Sequence, residues 1–224
     1  MQIKNILVIA PHPDDEVLGC GATMAKLSMA GHSVYVLVAS RGSARIYNQD
    51  KVEAVRLEAL KAHQLLGVKQ TFFLEFPAPE LDTVPLADIS GSIAELIVKL
   101  KIEVLYLPHR GDIHNDHRVV FNAALVAARP VGNYTVKAIY TYETLSETEW
   151  APPYESEAFV PTCFVDVTGY LDLKCVAFQC FKSQLKEFPN PRSVKGLTVL
   201  ANLRGSTVGF QFAEAFQVIR LISD

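Results

Sequence analysis

This chain of 224 residues is poor in cysteine, methionine and tryptophan, with four, three and one respectively. Cys20, Cys163, Cys175 and Cys180 form no Cys-x-x-Cys pair and no even spacing, which argues against a disulfide framework and against a thiolate zinc site. Basic runs are missing too, and 21 Lys plus Arg against 24 Asp plus Glu leave a formal charge of −3. Electrostatic binding to nucleic acid is therefore not expected. No apolar stretch approaches the roughly 18 residues of a membrane span. Residues 6–10 are the apolar run before Pro11, too short for the core of a secretory leader. The expectation is a cytoplasmic globular protein with neither a nucleic-acid partner nor a membrane span.

What is present is half apolar, enough to bury a proper core in a single domain over 1–224. Apolar runs of strand length fall at 3–9, 33–39, 71–75 and 103–107. Amphipathic stretches at 17–30, 51–66 and 86–100 separate them, and another at 117–128 follows, stopped by Pro130. This alternation is the pattern of stacked βαβ units around a parallel sheet. Gly31 and Gly67 stand where helix C-terminal caps belong. Further strands are expected at 137–143 and 163–167 and a further helix at 171–186, broken off before Pro189 and Pro191; the rest takes no definite assignment. The fold class read from this is α/β: a Rossmann-like, mostly parallel twisted sheet flanked by helices, with a C-terminal α/β elaboration. Two long connections, 40–50 and 145–157, have the length of lids or binding loops.

The chemistry sits after the first and fourth strands. His12-Pro13-Asp14-Asp15-Glu16 follows one, and His109-Arg110-Gly111-Asp112-Ile113-His114-Asn115-Asp116-His117 follows the other. Four of the six histidines lie in these two loops. In a doubly wound order 3-2-1-4 those strands are neighbours where the winding reverses, and a crevice opens outside their carboxyl ends. Histidine nitrogens and carboxylates without thiolates suit a divalent ion with an open position for water. Such an ion makes hydroxide available near neutral pH, a carboxylate beside it can accept the proton, and a histidine opposite can donate one. Taken singly, Asp14, Asp15 or Asp116 before a helix reads as a cap, but caps do not call for four histidines. Metal-assisted hydrolysis follows from this inventory; the bond cleaved does not, nor which aspartate binds metal.

The run Pro11-His-Pro-Asp-Asp-Glu-Val-Leu-Gly-Cys-Gly21 closely resembles the signature of the LmbE-like, or PIG-L-like, family of zinc-dependent N-acetylglucosaminyl deacetylases. His114-Asn-Asp116-His117 resembles that family's His-x-Asp-His element, and Ser183-Gln184, Arg204-Gly205 and residues 209–216 resemble weaker C-terminal motifs. The resemblance implies His12, Asp15 and His117 as ligands of one Zn²⁺, with Fe²⁺ an alternative in the cell. It implies Asp14 as general base, His114 as the residue that protonates the leaving amine or stabilises the tetrahedral intermediate, and Asp116 as the residue that orients and charges His114. The implied reaction removes the N-acetyl group from an amino sugar or its conjugate and releases acetate. It further implies trimers or hexamers of the chain. Cys180-Phe181-Lys182 departs from the family, which often has a histidine just before Ser-Gln.

Other residues carry two readings. Arg56 can bind substrate oxygens through its planar fork or pair with a nearby glutamate. Trp150 and Tyr154 can stack on a sugar ring or anchor their loop. His109, Arg110 and Asp112 can shape the pocket or hold the turn. His32 and His63 read as ordinary surface residues, and Gly19 as a point of close packing between the first helix and the sheet.

Overall fold

Strands that are apolar at every position must be covered on both faces, and the computed structural model, which describes residues 4–132 and 134–223, does this with two helical layers. β1 (Asn5–Ala10), β2 (Ser33–Gly42), β3 (Gln70–Ala78), β4 (Val104–Pro108) and β5 (Ala138–Tyr142) run parallel in the order β3-β2-β1-β4-β5. Side chains alternate along them. Ile6 and Val8 of β1 join Val34, Val36, Val104 and Tyr106 in one layer, while Leu7 and Ile9 join Leu37, Leu105 and Leu107 in the other. The first layer is closed by α1 (Asp15–Met29), α2 (Gln49–Leu65), α5 (Leu171–Phe178) and α6 (Val194–Ser206), and the second by α3 (Leu86–Leu100) and α4 (Asn115–Ala127).

The expected α/β architecture and the adjacency of β1 and β4 are both seen. Most element boundaries fall within a few residues of those expected. Ile3, expected in the first strand, lies outside the described residues. Gly31 and Gly67 take φ of 87° and 72°, the left-handed geometry expected after a helix end. Gly19 is a close approach: a Cβ there would overlap the Tyr142 ring, whose Oη donates to the Ile9 carbonyl at 2.8 Å.

Three features differ from expectation. α5 stops at Phe178 instead of near Lys186, because the chain turns there to bury Phe181 beside Phe178. α6 and β7 (Ala213–Leu221) occupy the stretch left unassigned, and β7 lies antiparallel between β5 and β6 (Cys163–Asp166). His32 and His63 are not at the surface, being 8% and 2% exposed; His32 Nδ1 accepts the Lys4 N–H. Among the described residues no helix is long and apolar enough to cross a membrane.

Candidate active site

β1 and β4 end side by side, and α1 and α4 begin immediately after them, so two helix N-termini face one crevice. The crevice is a cavity of about 390 Å³, within the range of small-molecule sites. Its inner end is formed by His12, Asp14, Asp15, His114, Glu147 and Arg192. Tyr47, Lys51, Val52, Val55 and Arg56 wall the outer end.

Asp15 Oδ2 is the meeting point of the inner end. It lies 3.2 Å from His12 Nδ1 and 3.2 Å from His117 Nε2. The opposite nitrogen of each ring is tied to a carboxylate: His12 Nε2 donates to Asp116 at 3.0 Å, and His117 Nδ1 donates to Asp112 at 2.7 Å. Thr148 donates in turn to Asp112 at 2.6 Å. A carboxylate behind each histidine sets its tautomer and turns the remaining nitrogen inward, the usual support of a metal-ligating histidine. His117 Nε2 is fully buried and makes no well-aligned hydrogen bond, with only the Asp15 carboxylate beside it at 3.2 Å, a position that a metal ion would satisfy. His12, Asp15 and His117 bring their donor atoms within 4.8 Å of one another, as do His12, His114 and Asp116. The first set is the better centre, since both of its histidines then keep a carboxylate behind them. Two histidines and one carboxylate are the donor chemistry of zinc or ferrous iron.

The charge balance agrees. Burial works against the protonated His12, yet its bonds to Asp116 and Asp15 push it up to about 9. Burial also opposes ionisation of Asp15, and the His117 charge and its bonds to both histidines outweigh it and hold the carboxylate well below its usual range. A divalent cation here would take the place of the protons that these carboxylates draw onto the histidines.

Asp14 is buried beside this centre, with φ of 124°, a backbone that only glycine adopts freely. Burial pushes its carboxyl up to about 7 against the opposing pull of Arg192, whose guanidinium it contacts directly. That is the range suited to accepting a proton near neutrality. His114 caps α4: its Nδ1 accepts the Asp116 N–H at 3.1 Å, so Nε2 carries the proton of the neutral ring. Burial and the His12 charge lower it to about 4, keeping the imidazole uncharged.

All six residues expected in the site meet here. The Asp116 carboxylate turns to His12 and to the Leu81 N–H, and reaches His114 through its backbone. Capping geometry is the reason: the N-cap side chain takes the N–H of the residue two along and leaves that residue's carboxylate to point elsewhere. Arg56 has the glutamate partner expected of it. It lines the cavity, but is also paired with Glu75 at 2.7 Å, bonded to the Leu74 carbonyl and laid over the Phe73 ring. Asp112, given no definite role in advance, is the partner of His117. His109 holds its turn by donating to the Glu157 carbonyl at 2.8 Å. Trp150 and Tyr154 are exposed and do not line the cavity. Arg192 was missed: it comes from the irregular proline-containing segment before α6, where nothing local marks it.

Residues 7–128 match the family model described as PIG-L, GlcNAc-PI de-N-acetylase. A protein of Escherichia coli (strain K12), named as the uncharacterized deacetylase YaiS, is 32% identical over 186 residues, which cover 80% of this chain and 91% of that one. The diacetylchitobiose deacetylase of Thermococcus kodakarensis is 26% identical over 241 residues, covering 97% and 84%. Among solved structures, the conserved protein TT1542 from Thermus thermophilus superimposes with a TM-score of 0.79 at 23% identity, over 99% of this chain and 97% of that one, a likeness of fold.

Proposed function

Because this chain belongs to the PIG-L, or GlcNAc-PI de-N-acetylase, family, we propose that it is a zinc-dependent N-deacetylase that hydrolyses the acetamido group of an amino sugar or its conjugate. One observation carries the reading: Asp15 meets a nitrogen of His12 and of His117, each braced by its own carboxylate, with the buried Asp14 alongside. His12, Asp15 and His117 would hold the ion, which, when bound, lowers the pKa of water to about 7 and polarises the amide carbonyl. Ferrous iron suits the same ligands.

The chain's own groups divide the remaining work. Asp14 accepts the proton of the attacking water. His114, neutral and with its proton on Nε2, donates a hydrogen bond to the oxygen that gains charge as the carbonyl becomes tetrahedral. The proton held by Asp14 is then available to the departing nitrogen, with His114 assisting its departure, and the products are acetate and a free amine. Arg192 keeps Asp14 from being buried as an unpaired charge. Arg56 and Lys51, at the outer end, are placed to meet sugar oxygens.

Metal content should be measured together with acetate release from a panel of N-acetyl sugars, nucleotide sugars and acetylated amines. Acetate from the sugars by the metal-loaded protein is the expected result. No acetate from any of them with the metal fully loaded would overturn the reading, and release from the non-sugar amines alone would move it to a deacylase of another substrate.

A further inference from the structure

Two buried groups next to the site have no part in this chemistry. Glu16 is 0% exposed and His63 2%. His63 Nε2 donates to Glu16 Oε1 at 2.8 Å, and Thr71 Oγ1 on β3 lies 2.8 Å from His63 Nδ1. The other Glu16 oxygen accepts the backbone N–H of Asp14 at 3.2 Å. The chain of contacts therefore starts on β3, passes through α2 and ends on the one backbone amide whose residue has φ of 124°.

An acid in the first turn of a helix complements the helix dipole while fully hydrated, so the dipole alone explains neither the burial of Glu16 nor the histidine opposite it. Burying such a pair costs desolvation, and well-packed apolar residues of similar size are often no less stable. What an apolar pair cannot do is grip an N–H. We propose that Glu16 and His63 are a positioning pair: they clamp the Asp14 amide and so hold the left-handed backbone that presents the Asp14 carboxylate to the cavity. Asp14 has strong reasons to leave this conformation, since a non-glycine residue there is strained. The clamp runs through α2, which also walls the substrate end of the cavity with Val52, Val55 and Arg56.

The proposal rests on the deacetylase reading for its kinetic readout but not for its structural one. His63→Leu, His63→Gln and wild type, all zinc-loaded, are compared for acetate release from N-acetylglucosamine, metal content, melting temperature and hydrogen exchange of the ¹⁵N-labelled Asp14 amide. His63→Leu should lower kcat about ten- to a hundredfold, the scale of a small misplacement of a reacting group. KM and metal content should stay the same, the melting temperature should be unchanged or higher, and the Asp14 amide should exchange at least about tenfold faster. His63→Gln, which can still donate to Glu16, should recover most of kcat and of the protection. A merely structural pair would instead lower the melting temperature while leaving kcat per folded molecule and Asp14 protection intact, and that result overturns the proposal. If His63→Leu does not fold, Thr71→Val, which removes only the hydroxyl behind His63, is read the same way. If wild type releases no acetate, the deacetylase reading fails, and Asp14 exchange alone then decides the clamp: retained protection sinks it, lost protection supports it.

Discussion

Helix α1 carries buried charge at two places, and the two are built on opposite plans. Midway along, where Cys20 leaves helical geometry at φ −142°, Glu214 of β7 accepts the N–H groups of Ala22 and Thr23 and pairs with Lys174 of α5 at 2.6 Å. There is one acid and one base there, and the acid also serves the amides that the kink exposes. At its N-terminus α1 brings Asp14, Asp15 and Glu16 together, and Asp112 and Asp116 join them across the β1–β4 crevice, five carboxylates that are all buried. Arg192 pairs with Asp14 as a permanently charged partner, and the other ionisable partners are histidines. A balanced pair is a staple. A surplus of buried acid is stable only where further positive charge can enter, and that separates the site from the scaffold without reference to sequence motifs.

The contrast can be broken in order of effect. His117→Ala removes a proposed ligand from the surplus-acid end and should strip the metal and bring acetate release to background, read by metal analysis of the purified variant and the acetate assay. Asp14→Asn should keep its metal and lose about 10²–10⁴ in kcat, the usual size of general-base catalysis; full activity would remove Asp14 from the mechanism. At the balanced end, Lys174→Ala leaves Glu214 buried without its partner and should cost about 3–5 kcal/mol in urea unfolding. Activity per folded molecule should be unchanged, and a selective loss of kcat there would erase the distinction between staple and site. Asp112→Asn removes only the carboxylate behind His117 and should weaken metal affinity about 10- to 100-fold, read by competition with a chelator. Arg110→Ala, which breaks an exposed pair with Glu157, should change stability by less than about 1 kcal/mol and serves as the control for both ends.

These two ends were unequally legible in the sequence. The parallel half could be read because its strands are largely apolar and its helices periodic, and because each of the two loops adjoins a strand that topology places beside the other. The C-terminal stretch of α6 and β7, which supplies the staple's Glu214, could not be read. α6 buries only Leu197, Ala201 and Gly205, too narrow a stripe to stand out, and the outer half of β7 is largely exposed, so neither element has the contrast that reveals it. Within the site, residue types were legible and pairings were not. Asp116 stands two positions from His114, yet its carboxylate turns to His12, a partner from the other loop. His63 looked like one more polar residue on α2 until tertiary packing put it against Glu16. Arg192 is joined to Asp14 by packing alone.

The position of β7 bears on the birth of the chain. The strand made after β6 is the one that must slip between β6 and β5, so on a ribosome β6 emerges with no neighbour to pair with until residues 213–221 follow it. Both ligand loops are translated well before that moment; Arg192 and Glu214 come late. A nascent chain therefore presents the carboxylates and histidines of both loops while Arg192 and Glu214 are still unmade, and β7, pairing with β5 and β6 at once, then joins the sheet and supplies the partner of Lys174.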